Sequence, residues 1–75
     1  MSSDIFETYL AQIEGVMFKC MVCYEPAVHS DVYFAVLNMD GTHVEYKTED
    51  YVLNKIWSNP EFRAICNNVQ MQSKA

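Results

Sequence analysis

Asp40-Gly41 stands between two runs rich in apolar residues, Val32-Tyr33-Phe34-Ala35-Val36-Leu37 and Thr42-His43-Val44-Glu45-Tyr46. No other feature constrains the fold of this chain as much. A two-residue hairpin turn of type I′ needs positive φ at both central residues, and Asp-Gly tolerates that. The turn predicts an antiparallel hairpin over residues 32–47 and sets its register. Leu37 then lies opposite Val44 and Ala35 opposite Tyr46, on a uniformly apolar face. On the other face Val36 lies opposite Glu45 and Phe34 opposite Lys47. That face is mixed, with Val32, Phe34 and Val36 beside His43, Glu45 and Lys47.

The flanking segments read as follows. Asp4 can cap a first helix, with Glu7 completing a capping-box-like pair. Ile5, Phe6, Tyr9, Leu10 and Ile13 recur at helical spacing, and Gly15 is a natural stop. Val16 to Tyr24 alternates in the manner of a strand and is rich in β-branched and aromatic types, which favours a strand. The alternative extends the first helix through Gly15, at a cost of about 1 kcal/mol against Ala. Glu25-Pro26 ends the segment either way. Thr48 can cap a second helix whose apolar stripe is Val52, Leu53, Ile56 and Trp57, with Glu49 and Asp50 at its positive end. Asn59 as cap and Pro60 as first helical residue start a last helix, with Phe62, Ile65, Cys66 and Val69 as its stripe. The polar tail over 70–75 is expected to fray. The fold class is therefore α+β: an N-terminal helix, a small antiparallel sheet of two to three strands, and two C-terminal helices, all in a single domain over 1–75.

Seventy-five residues with 51% hydrophobic content and ten aromatic side chains are too apolar for a disordered segment. They are also generous for so small a monomer, so an apolar surplus is expected to face a partner or a second copy. Ten acidic residues against five basic ones give a net charge of −5. Lys19, Lys47, Lys55, Arg63 and Lys74 are scattered singly, which disfavours direct nucleic-acid binding. An acidic surface suits a basic protein surface instead. Met1-Ser2-Ser3-Asp4 lacks the basic region of a signal peptide, and no apolar stretch reaches a membrane-spanning length. Three cysteines cannot all pair within one chain, so a reducing cytoplasm is expected.

Cys20-Met21-Val22-Cys23 is the one pattern resembling a chemical motif. A zinc site needs further ligands, for which Cys66, His29 and His43 are available. Cysteines three apart on a strand point to opposite faces, however, and Pro26 follows too soon for a thioredoxin-type helix. Buried thiols are the simpler reading, with no metal and no cofactor. His29 beside Ser30 is sequence adjacency, without the oriented third group of a hydrolytic triad. Gly15 and Gly41 are too far apart for a phosphate loop. No catalytic residue is assigned.

These features favour a non-enzymatic protein-binding regulator or inhibitor, of the kind a phage or mobile element uses to block a nucleic-acid-handling host machine. The expected contact surface is Val32, Phe34 and Val36 as an exposed apolar strip, with Glu45, Glu49 and Asp50 as its acidic complement to a basic partner. A homo-oligomeric assembly subunit, such as a homodimer, is the alternative. A metal or redox sensor built on Cys20, Cys23 and Cys66 is the third.

Overall fold

A computed structural model describes residues 4–74. Two sequence expectations, the signal-free start at Met1–Ser3 and the last residue of the polar tail, lie outside the described residues. The chain forms three strands, β1 (Ile5–Ile13), β2 (Val16–Tyr24) and β3 (Tyr33–Asn38), followed by two helices, α1 (Tyr46–Ile56) and α2 (Pro60–Ser73). The strands make an antiparallel meander in the order β1-β2-β3, and the helices pack on one face of it. The class is α+β, but strands come first and both helices are C-terminal.

The expected N-terminal helix is a strand. Its apolar positions satisfied helical spacing, yet Ile, Phe, Thr, Tyr and Leu are equally at home on a pleated sheet. Pairing with β2 decides the matter, because the two nine-residue strands match along their whole length, from Ile5↔Tyr24 to Ile13↔Val16. Gly15 ends no helix. It forms the hairpin turn with Glu14, and their φ values of 82° and 53° are the pair a type I′ turn requires. The strand expected over Val16 to Tyr24 forms with those bounds.

The hairpin expected over 32–47 forms only in its first half. The loop takes one residue more than a two-residue turn allows. The Asn38 amide donates to the Thr42 carbonyl (2.8 Å), Gly41 sits at φ 92°, and Leu37 bridges to His43 instead of Val44. The Asp40 carboxylate stabilises this wider loop by accepting from the Thr42 amide (3.0 Å) and hydroxyl (2.6 Å). The hydroxyl bond, ahead of the amide bond, holds the Asp40 carboxyl below its ordinary range. Beyond His43 the chain leaves the sheet, and α1 begins at Tyr46, ahead of the expected Thr48 cap. Glu45 is its N-cap residue but makes no side-chain capping bond.

The second helix start follows its sequence signal. Asn59 accepts from the Glu61 and Phe62 amides (2.9 and 3.1 Å), and Pro60 occupies the first helical position. Past Gln70 the expected fraying tail is helical through Ser73. The core lies between the helices and one sheet face. Val22, Val36, Val52, Phe62, Val69 and Cys20 are its fully enclosed side chains. Among the described residues no charged or polar side chain is buried, and no helix is long and apolar enough to cross a membrane.

Candidate protein-binding surface

Alternation along each strand sorts its side chains between two faces. Toward the helices point Ile5, Tyr9, Ala11 and Ile13 of β1, Phe18, Cys20 and Val22 of β2, and Phe34 and Val36 of β3. The register places the remaining residues in rows across the other face: Phe6-Cys23-Tyr33, Thr8-Met21-Ala35, Leu10-Lys19-Leu37 and Gln12-Met17. In most antiparallel sheets an uncovered face is polar. Here only Thr8, Gln12, Lys19 and the Tyr33 phenol interrupt an apolar surface, and Phe6 and Leu10 are 51% and 52% exposed. Both helices follow β3 and pack on the opposite side, so no described element covers this face.

Polar groups gather at its margin. The Tyr33 hydroxyl donates to the Glu25 carboxylate, and the His29 ring lies 5.6 Å from the Tyr33 ring. That bond to Glu25, ahead of desolvation, pushes the Tyr33 phenol up to about 12. Lys19 sits mid-face between two leucines, and its charge is one of the influences that lower the Asp40 carboxyl. Cys23, also on this face, is overlaid by its neighbours, and burial pushes its thiol up. It is held as a neutral thiol, which is the wrong form for a nucleophile. Cys20 faces the helices and burial raises it to about 11, while Cys66 is raised by burial as well. Cys20 and Cys23 therefore lie on opposite sides of the sheet and form no chelating pair. Among the described residues no three His, Cys, Asp or Glu side chains converge as metal donors.

The expected contact residues are divided differently. Val36 is fully buried, and Val32 and Phe34 are half-buried against the core. Phe34 packs edge-on to Trp57 (centroids 5.7 Å apart) and lies 6.0 Å from Phe62. The expectation that these three form an exposed strip is corrected: theirs is the face that the helices cover. Glu45 and Asp50 are exposed and Glu49 half-buried, all at the start of α1. They are not on the strand that carries Phe34. Sequence reasoning missed Phe6, Leu10, Met17, Met21 and Leu37. Phe6-Glu7-Thr8-Tyr9-Leu10 carries no clean two-residue period, since Thr8 shares the open face with Phe6 and Leu10 and Glu7 shares the other with Tyr9, so the helical spacing went unopposed.

Comparison with known proteins finds no matching family model, no matching curated protein and no matching solved structure.

Proposed function

We propose that this chain is a non-enzymatic protein-binding regulator or inhibitor that presents the open face of its sheet to a protein with a basic surface. The observation that carries the reading is the apolar open face itself, centred on Phe6, Leu10, Met21 and Leu37. A patch of this kind with a polar margin has the anatomy of a contact surface, and an apolar sheet face left in water is a liability unless something uses it. The chain's net charge of −5, with Glu25 and Asp40 beside the face, complements Lys and Arg around an apolar ridge on the partner. A protein whose own ligand is polyanionic, such as a nucleic-acid-handling enzyme, has that chemistry. The exposed Glu45 and Asp50 contribute to steering rather than to the contact itself. The three unpaired thiols suit a reducing compartment.

The test uses Met21→Glu and Leu37→Lys beside the triple reversal of Glu45, Glu49 and Asp50 to Lys. Circular dichroism establishes that each variant folds. A partner captured by the wild-type chain should be lost from both face variants. The acidic reversal should mainly slow association, and binding should weaken as salt shortens screening from about 10 Å at 0.1 M to about 3 Å at 1 M. Retention of the partner by both folded face variants sinks the reading.

A further inference from the structure

Strand β1 is an edge of the sheet, and its outer side is unprotected. In a hairpin with a two-residue loop the residues flanking the loop, Ile13 and Val16, form a hydrogen-bonded pair, and hydrogen-bonded pairs then alternate along the ladder. Ile13, Ala11, Tyr9, Glu7 and Ile5 thus spend their backbone groups on β2. Phe6, Thr8, Leu10 and Gln12 turn theirs outward, and among the described residues no other backbone group meets them. The opposite edge differs. There Val36, Leu37 and Asn38 of β3 are met by Val44, His43 and Thr42. Exposed edges are commonly blunted by Lys, Pro or a bulge. Between Ile5 and Ile13 there is no Lys, Arg or Pro, and the one charged residue, Glu7, is half-buried on the helix side.

The side chains on this edge are self-complementary. Phe6 and Leu10 are equidistant from Thr8, so a two-fold axis through Thr8, perpendicular to the sheet, brings Phe6 of one copy opposite Leu10 of the other, twice. We propose that two copies of this chain pair antiparallel through β1 in this register, joining the three strands of each into one continuous sheet. Each of the pairs Phe6–Leu10, Thr8–Thr8 and Leu10–Phe6 exchanges two backbone hydrogen bonds, because all of these residues direct their backbone outward. Neighbouring registers are worse. A shift one way places Glu7 against Glu7, two like charges directly opposed; a shift the other way sets Phe6 against Gln12. Shifts of odd step put the helices of the two copies on opposite sides and break the match of apolar faces. The chosen register keeps both helix layers on one side and merges the two open faces into a single apolar surface. It also covers Phe6 and Leu10, two of the most exposed large apolar side chains on the sheet. The pairing does not depend on the open face having a partner.

Sedimentation over a range of protein concentrations tests this with the full chain. The wild type should show a monomer–dimer equilibrium. Thr8→Pro removes two donors at the two-fold axis that the monomer does not use, and should weaken dimerisation by about thirtyfold or more while circular dichroism stays native. Phe6→Lys alone and Leu10→Glu alone should each abolish the dimer. Their combination sets opposite charges face to face in this register and should recover it. A wild type that is monomeric at every concentration overturns the proposal, as does a dimer indifferent to the single charged substitutions. Failure of the folded double variant to recover the dimer overturns the register.

Discussion

The two faces of the sheet are built from the same strands and nearly the same kinds of residue, yet they have opposite fates. On β2, Phe18, Cys20 and Val22 are sealed under the helices, while Met17, Lys19 and Met21, interleaved with them, remain partly in contact with solvent. Hydropathy alone does not separate the two sets. They differ in that one face received both helices, which carry Val52, Ile56, Phe62, Cys66 and Val69 onto it. Burial is thus a property of topology laid over composition, and a face rich in apolar residues can remain uncovered when none of the described elements packs on it. The covered face should govern stability, the open one association.

Substitutions can break that contrast. The largest effect is expected from Phe62→Ala. Its ring is fully enclosed and contacts Tyr9, Phe34 and Trp57, so denaturant melts should show a loss of about 3–5 kcal/mol. Next come neighbours on one strand. Phe34→Asp puts a charge among Trp57 and Phe62 and should cost about 3 kcal/mol, whereas Ala35→Asp, one residue on but facing outward, should cost about 1 kcal/mol or less. Equal losses at the two positions would erase the distinction between the faces.

A smaller effect belongs to pH. The fold holds Cys20 as the neutral thiol, raised from an ordinary 9.0 to about 11 by burial. An acid whose pKa is raised on folding adds stability that is complete below its unfolded pKa. That stability is lost as pH climbs, here between about 9 and 11. Wild type should therefore lose more stability than Cys20→Ala between those pH values, and native Cys20 should resist thiol reagents until the chain unfolds. Parallel pH profiles for the two proteins would remove Cys20 from the covered layer. The smallest change is expected from Leu10→Thr on the open face, within about 0.5 kcal/mol of wild type in a thermal melt, while any dimer or partner binding weakens. A large destabilisation there would mean that the open face is structural.

Local chemistry was legible wherever a residue's partner lies close in sequence. Asn59-Pro60 starts α2 as it reads, because a cap bonds amides two and three residues away. Of the expected stripes, Val52 and Ile56 of α1 and Phe62, Cys66 and Val69 of α2 are buried, Leu53 and Ile65 are half-buried, and Trp57, at the C-cap of α1, is exposed. The 16–24 segment is the strand its alternation suggested. Two errors propagated from equally local decisions. In the first, Ile5, Phe6, Tyr9, Leu10 and Ile13 satisfied the helical period by coincidence, and only the long ladder with β2 resolves the ambiguity. In the second, the Asp40-Gly41 loop holds one residue more than the two-residue turn. A one-residue slip moved His43 opposite Leu37 and took Val44 to the core side.

The expectation that Val32, Phe34 and Val36 form an exposed strip failed for a third reason. Phe34 and Val36 do share a face opposite Leu37, as alternation requires. Nothing in the local pattern states which of those faces the helices will cover. The sequence by itself determined the α+β class, the Asn59-Pro60 start of α2, the buried positions Val52, Ile56, Phe62, Cys66 and Val69 on the helices, the acidic charge and the two-face division of β2 and β3. These follow from backbone geometry and from side chains within a few residues of one another. Only the tertiary structure decided that β1 is a strand, that the helices lie over Phe34 and Val36, and that Phe6, Leu10 and Met21 are left facing outward. Those outcomes rest on pairings between residues far apart in the chain, whose combined burial outweighs the small local preferences that a sequence displays.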